Sequence, residues 1–308
     1  MNDLDPNVLG ETAAVVTSCL WTINSLFFTS AGKRIGPLSV NAYRVIMAVG
    51  FLVIAHAILR GTTLPMATNQ QWLWMGMSGI VGLGIGDFGL FAAFVMIGPR
   101  RSLLVMALSP IFASIGAYLM LGETLPTLAI VGIAITLGGV VVVTLEEGER
   151  SGDAPVSKKL RNYGVFLALI GAIGQGVGLV LAKKGIYLDP EMTLNPLSAT
   201  LIRMILGALF VWIVAATARK LPELREAMRS KEGMSNTAAG AFLGPFLGVT
   251  LSMVAVTYTN AGIAQTLMSL MPVIIIPVVW IMYKQRTSMR GILGAVIAVV
   301  GVAILFLT

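Results

Sequence analysis

The feature that most constrains this chain is a series of long apolar runs, which together fill nearly the whole sequence. A helix crosses the hydrocarbon layer of a bilayer in about 20 apolar residues. The runs are continuous rather than alternating, which favours helices over the strands of a membrane barrel. We predict ten spans, near 11–31, 40–59, 72–96, 102–121, 126–145, 163–182, 196–216, 237–257, 263–283 and 289–307. Glycine, proline or charge separates them, with turns predicted at Gly36, Gly61, Gly98–Arg101 and Gly122.

The composition agrees with an all-α integral membrane protein and excludes a soluble catalytic domain. Apolar residues make up 56% of the chain and charged residues 11%, against roughly 25% charged residues in ordinary soluble proteins. The net charge of +7 is expected to come from loops that face cytoplasm and anionic lipid, so no nucleic-acid partner is predicted. One cysteine and one histidine leave no basis for an internal disulfide or a metal cluster, and no cofactor is predicted.

Basic residues lie mainly on one side of the predicted spans. The loops after spans 1, 3, 5, 7 and 9 hold 16 Lys and Arg residues, and the opposite loops hold 3. By the positive-inside rule the side with 16 faces the cytoplasm, which places both termini outside. No cleavable signal peptide is expected, because the first basic residue, Lys33, follows the first span.

Two short patterns recur in the second half of the chain. Pro37-Leu-Ser with Arg44 is repeated as Pro196-Leu-Ser with Arg203, and the spacing from proline to arginine is the same in both copies. A second constant offset relates glycines of spans 3 and 8 and of spans 5 and 10, pairing Gly82 with Gly244, Gly86 with Gly248, Gly132 with Gly294 and Gly139 with Gly301. The shared order of these matches predicts a duplication.

The duplication predicts two inverted repeats. We assign residues 1–147 to the first five-helix repeat, 148–162 to a linker and 163–308 to the second repeat. Because each repeat holds an odd number of spans, the second must enter the membrane from the opposite side. Inverted repeats are typical of secondary transporters, whose substrate site lies near the midplane between the halves. The small residues of spans 5 and 10 suit close helix contact within a monomer or between the subunits of a homodimer.

Asp87 is the only formally charged residue deep inside a predicted span. It follows Trp72 by 15 residues, which is roughly 22 Å along a helix and therefore near the membrane centre. An ionisable side chain at that depth is a functional candidate. We predict that Asp87 faces a central cavity and binds a proton or a cation. The alternative is a structural carboxyl group bonded to a neighbouring carbonyl or helix end.

Polar and aromatic residues of spans 1 and 6 are further candidates for a substrate or coupling site. Trp21 and Asn24 are neighbours on one helix, three residues apart. Gln175 of span 6 occupies the position equivalent to Trp21. Such positions would converge on the cavity between two inverted halves, although packing of Trp21 and a structural bond from Gln175 are equally compatible with the sequence.

Arg44 and Arg203 begin equivalent helices on opposite sides of the membrane. The simplest interpretation is that both side chains extend to the interface or form structural pairs. Binding of an anionic substrate is the alternative.

The order of several motifs resembles the drug/metabolite transporter superfamily in its ten-helix EamA form. They are Trp21, the string from Pro37 to Arg44, Ser109-Pro110 with the following Leu121-Gly-Glu, and Tyr258-Thr-Asn-Ala-Gly with Pro272 beyond it. The chain differs from the family pattern where span 9 ends, because Lys284-Gln285 stands where Gly-Glu often recurs.

The resemblance implies an inner-membrane carrier that works by alternating access, commonly as an exporter of amino acids, metabolites or toxic compounds. Protons are a candidate coupling ion, acting through Asp87. Members are usually drawn with both termini in the cytoplasm, whereas the charge bias predicts the opposite. A flippase for a lipid-linked group is the alternative function. An intramembrane enzyme is disfavoured, since no second mid-span carboxylate or paired catalytic motif is present.

Overall fold

The computed structural model describes residues 5–151, 158–189, 191–283 and 288–308, and within these ranges it is helical without strands. The α-helices are Pro6–Ile35, Pro37–Arg60, Asn69–Ser78, Asp87–Met106, Ser109–Leu121, Thr127–Ser151, Lys158–Ile186, Pro196–Thr217, Leu221–Ala227, Lys231–Ala241, Val249–Tyr258, Ala261–Met268, Met271–Tyr283 and Met289–Leu305, and the π-helical segments are Gly79–Gly86 and Phe242–Gly248.

These helices form ten membrane spans, which we number in chain order: Pro6–Ile35, Pro37–Arg60, Asn69–Ala93, Ser102–Leu121, Thr127–Leu145, Lys158–Ile186, Pro196–Thr217, Lys231–Tyr258, Ala261–Val278 and Met289–Leu305. Within the described ranges, nine helical stretches are long and apolar enough to cross a membrane. The tenth, Met289–Leu305, is an apolar helix of 17 residues, close to the lower limit of about 17 for a spanning helix. The prediction of an all-α membrane protein with ten spans is confirmed.

Three spans end at glycines whose backbone requires the absence of a side chain. Gly36, Gly61 and Gly122 have φ values of 78°, 73° and 69°, a region that other residues rarely adopt. The predicted turns after spans 1, 2 and 4 therefore lie where the sequence placed them. The helices of spans 5 and 6 extend to Ser151 and from Lys158, so they reach into the predicted linker, and residues 152–157 lie outside the described ranges.

Spans 1 and 8 pack against each other in antiparallel directions. Gly10 lies beside the backbone of Tyr258, near the end of span 8. Further along span 1, the ring of Phe28 lies beside Gly240, near the start of span 8. The missing side chains of the two glycines allow this close approach.

Spans 3 and 6 repeat the same arrangement. Gly82 lies beside Gly178, and further along span 3, Gly89 lies beside Gly171. Span 3 thus pairs with span 6 as span 8 pairs with span 1, with the roles of the two halves exchanged. This exchange is the geometry expected of inverted repeats.

The connection between spans 3 and 4 differs from the prediction. The turn expected at Gly98–Arg101 lies within one continuous helix. The chain nevertheless reverses along span 6, because Ile97 lies beside Gly164 and the later Ser109 lies beside Gly176. Helical residues, rather than an extended loop, therefore make this connection.

The remaining spans pair across the two halves in the same way. Span 2 packs on span 7, span 4 on span 9 and span 5 on span 10. In the last pair Gly139 lies against the backbone of Ala298, and Gly301 lies against Thr136. The small residues of spans 5 and 10 thus make a contact within the chain.

Both halves carry a π-helical segment at the same place. Gly79–Gly86 lies in span 3 and Phe242–Gly248 in span 8. The glycines that the duplication relates in these two spans fall within the segments. π-Helical turns are rare and occur often at functional sites. The residues around the two segments are therefore candidates for the functional site.

Candidate functional site

Asp87 follows the π-helical segment of span 3 directly and is 7% exposed. The neighbouring Gly86 packs against Gly174, which lies near the middle of the long helix of span 6. Asp87 therefore lies beside the middle of span 6, within the helical bundle.

The carboxylate of Asp87 is held from two other spans. Arg44 of span 2 forms an ion pair with Oδ2 through its Nη2 atom. Gln175 of span 6 donates from Nε2 to Oδ1 at 2.7 Å. The structure thus brings together three of the residues predicted for the site. The isolated carboxylate that the sequence suggested is a paired one.

Arg44 is held in place by further contacts with a polar side chain and two aromatic rings. Its Nε atom donates to Oδ1 of Asn41 at 2.9 Å. Its guanidinium lies over the rings of Phe28 and Phe91, at 5.7 Å and 5.2 Å from the ring centroids, which is within the range of cation–π attraction. The side chain turns into the bundle, so of the two forms of the simplest interpretation, extension to the interface or a pair within the bundle, Arg44 adopts the pair.

Arg203 is also turned inward, and it is 3% exposed. Its Nη2 atom lies against Gly82, 2.7 Å from the place where a Cβ atom would stand. The Nε atom of Arg203 is buried and has no hydrogen-bond partner among the described residues. Arg203 is therefore a second buried cation, and it lies against the π-helical segment that Asp87 directly follows.

The two arginines break the symmetry of the repeats. Span 7 packs on the π-helical segment of span 3, and span 2 packs on that of span 8. Strict symmetry would direct Arg44 towards span 8, where Val249 is the counterpart of Asp87. Instead both guanidinium groups approach span 3, because the acidic side chain is present in that half alone.

Trp21 and Asn24 lie beside the other π-helical segment. The indole Nε1 of Trp21 lies 2.6 Å from the Cβ position of Gly248, and the amide of Asn24 fills the space beside Gly244. Gln175, the counterpart of Trp21, approaches the carbonyl oxygen of Gly82 at 3.4 Å. Equivalent residues of spans 1 and 6 thus contact equivalent π-helical segments, and their role in binding stays a prediction.

Sequence reasoning overlooked several residues that the bundle places beside the site or buries. Asn41 orients Arg44, and its spacing of three residues on the same helix was the available signal. Glu11 is 3% exposed within span 1, and its charge at the start of an apolar run was a signal of the same kind as that of Asp87. Phe28 and Phe91 carry no signal in the sequence beyond their apolar character.

Two inverted five-helix halves with a charged cluster at their seam define a ten-helix membrane protein of the transporter type. The sequence model of the EamA-like transporter family matches residues 8–145 and 162–307. The chain belongs to this family, and it is a multi-pass membrane protein.

Comparison with solved structures supports the fold independently. A crystal structure of a protein whose description names no function is similar to this chain, with a TM-score of 0.75 and 17% sequence identity. The alignment covers 98% of this chain and 96% of the other. The search of curated proteins gave no match.

Proposed function

We propose that the protein is a secondary transporter that carries a small metabolite or drug-like solute across the membrane by alternating access. The observation that carries this proposal is the ion pair of Arg44 and Asp87, joined by Gln175, at the seam between the halves. Buried charges in a membrane are costly and are retained mainly where they serve transport or binding. In transporters built from inverted repeats, the solute site lies at this depth.

Interruptions in four spans support a change of conformation. In addition to the two π-helical segments, span 4 is broken at residues 107–108 and span 9 at residues 269–270. The two breaks occupy equivalent positions in the two repeats. Helices bend at such interruptions. Equivalent bends in inverted halves would open the seam first to one side of the membrane and then to the other.

Outward transport coupled to protons is the form of the proposal that we favour. The outward direction is common in the family that the chain belongs to. Asp87 is the member of the cluster that can take up a proton when its partner Arg44 is engaged elsewhere. Exchange of Arg44 between Asp87 and a solute would therefore link proton movement to solute movement.

A solute carrier fits the arrangement better than a flippase for a lipid-linked group. A flippase would require a lateral opening between helices with basic residues at the level of the lipid headgroups. Arg44 instead turns into the bundle towards Asp87, and Arg203 is buried against Gly82 of span 3.

Counterflow in proteoliposomes tests the proposal. Purified protein is reconstituted with an internal panel of amino acids, nucleosides, organic acids and organic cations, and uptake of each labelled solute is measured. We expect saturable uptake of at least one solute, a response to an imposed pH gradient, and loss of both in the Asp87→Asn variant. The Lys220→Gln variant, which alters an exposed pair, serves as the control. Absence of counterflow with every class by folded protein would reject the proposal.

A further inference from the structure

We propose that the solute carries a carboxylate group and is recognised through it. This carboxylate replaces that of Asp87 on Arg44, while Arg203 supplies a second positive charge. This inference rests on the proposed transport function and names the substrate class for the same site. Its observations are the charge of the cluster, the unsatisfied donor on Arg203 and the surroundings of Arg44.

The described cluster holds two cations and one anion. Arg44 forms an ion pair with Asp87, Arg203 lies against Gly82 in the same stretch of span 3, and the amide of Gln175 adds no charge. One positive charge therefore has no counterion within this group. Buried charges are stabilised when they are paired and hydrogen-bonded. An anionic ligand would complete the pairing, whereas a cationic ligand would increase the imbalance.

Arg203 offers a hydrogen-bond donor that nothing in the described structure uses. Its Nε atom is buried without a partner, although most buried polar groups in proteins are hydrogen-bonded. Its Nη2 atom is positioned beside Gly82, whose carbonyl oxygen is approached by Gln175. Because Gln175 also binds Asp87, the unused donor lies in the immediate surroundings of the ion pair.

Arg44 is already arranged to bind a carboxylate. The planar guanidinium matches the geometry of a carboxylate, which it can hold with two parallel hydrogen bonds. Asp87 now contacts the guanidinium through Oδ2 alone, and its Oδ1 atom would remain bonded to Gln175 after displacement. A carboxylate of the solute can therefore exchange with Asp87 without leaving either acidic group without a hydrogen-bond donor.

The rings beside Arg44 indicate the rest of the solute. Phe28 and Phe91 flank the guanidinium, so a group attached to the bound carboxylate meets an apolar, aromatic surface. Small organic acids with an apolar or aromatic portion are the class that fits. A cation would have to displace Arg44 from Asp87, which would leave two buried guanidinium groups unpaired.

Binding to the unmodified protein is the first test. Purified full-length protein in lipid nanodiscs is titrated with matched probes that differ in charge, namely phenylacetate, phenylacetamide and phenethylamine, and with hexanoate and hexanamide. Thermal stabilisation reports binding to the folded state. We expect the carboxylates to bind about tenfold or more tightly than their amides and the amine, since hydrogen bonds to charged groups are the stronger ones. Equal or tighter binding of an amide or the amine, or no stabilisation by either carboxylate, would overturn the inference.

Variants locate the binding site of the carboxylate. Asp87→Asn removes the competing anion and should tighten carboxylate binding by about tenfold, whereas Arg44→Gln and Arg203→Gln should weaken it about ten- to a hundredfold. Arg34→Gln, which alters an exposed arginine paired with Glu232, is the matched control and should leave binding unchanged. Weaker binding in Asp87→Asn, or equal binding in all variants, contradicts the exchange. If a variant does not fold, the comparison of probes on the unmodified protein still tests whether the site prefers carboxylates.

These measurements separate this inference from the transport proposal. Binding in nanodiscs requires no transport, so binding of carboxylates without counterflow of any solute would reject the transporter and retain the anion site. Counterflow of a cation or a neutral solute, together with no preference for carboxylates, would retain the transporter and reject the anion site.

Discussion

Glu123 and Lys183 form an ion pair with 2.6 Å between Oε1 and Nζ, and both side chains are 13% exposed. The second carboxylate oxygen of Glu123 accepts from the backbone N–H of Ala261, at the start of span 9, at 3.0 Å. Lys183 also donates to the carbonyl oxygen of Thr259 at 2.6 Å. One carboxylate therefore ties the turn between spans 4 and 5 to spans 6 and 9, which belong to the other half.

Loss of this pair should destabilise the protein measurably. Glu123→Gln removes the charge and leaves Lys183 with one carbonyl partner, so we expect the free energy of unfolding to fall by about 1 to 3 kcal/mol. Unfolding in detergent, followed by circular dichroism, measures the change. Glu223→Gln is the control, because its pair with Lys220 is about half exposed and should contribute about 0 to 1 kcal/mol. Equal losses of unfolding free energy in the two variants would show that the Glu123 pair contributes no more than an exposed ion pair.

The pair of Arg44 and Asp87 should show strong energetic coupling. Asp87→Asn leaves the buried Arg44 without its counterion, and Arg44→Gln removes the closer of two cations from Asp87, so each single change should cost about 2 to 4 kcal/mol. The double variant should cost less than the sum by about 1 kcal/mol or more. Unfolding of the four proteins gives the coupling energy. Transport should stay absent in the double variant, and additive losses of stability would contradict a direct pair.

The sequence singled out Asp87 because a single charge stands out in an apolar run. It did not predict the partner of Asp87. Arg44 lies near the start of its own span by residue count, and 43 positions separate it from Asp87. The length of the arginine side chain, and the packing of span 2 on span 8 rather than on span 3, decide where its charge is located. Linear position reports neither property.

The repeat pattern was informative about the fold and misleading about the arginines. Equal offsets correctly related the glycines of spans 3 and 8, since both sets allow close approach: Gly86 lies against the backbone of Gly174, and Gly244 and Gly248 make room for the side chains of Asn24 and Trp21. Arg44 and Arg203 occupy equivalent positions, yet Asp87 has no acidic counterpart in span 8. A flexible charged side chain follows its counterion rather than the symmetry of the backbone. Site residues are therefore harder to infer from a duplication than helix contacts are.

Membrane orientation can be tested directly on the intact chain. The bias of basic residues predicts that both termini are outside. A C-terminal fusion to alkaline phosphatase, which folds only outside the cytoplasm, should therefore be active, and a fusion of green fluorescent protein at the same site should be dark. Replacing basic residues of the loop after span 7 with glutamine should weaken this preference. A fluorescent, phosphatase-inactive fusion would instead support the orientation usually drawn for the family.

Two adjacent glycines of span 5 offer a matched test of the contact between spans 5 and 10. A Cβ atom on Gly139 would lie 2.4 Å from the backbone nitrogen of Ala298 and 2.5 Å from the carbonyl oxygen of Gly294, whereas one on Gly138 meets nothing within 4 Å. Backbone atoms cannot move aside as a flexible side chain does, so Gly139→Ala should force the two helices apart and cost about 1 to 3 kcal/mol. Gly138→Ala should be neutral or stabilising by up to about 1 kcal/mol, because alanine favours the helix. Both variants replace glycine with alanine at neighbouring positions of the same helix. The difference between their unfolding free energies therefore measures the contact with span 10. Similar values for both variants would mean that this face of span 5 does not pack against span 10 as described.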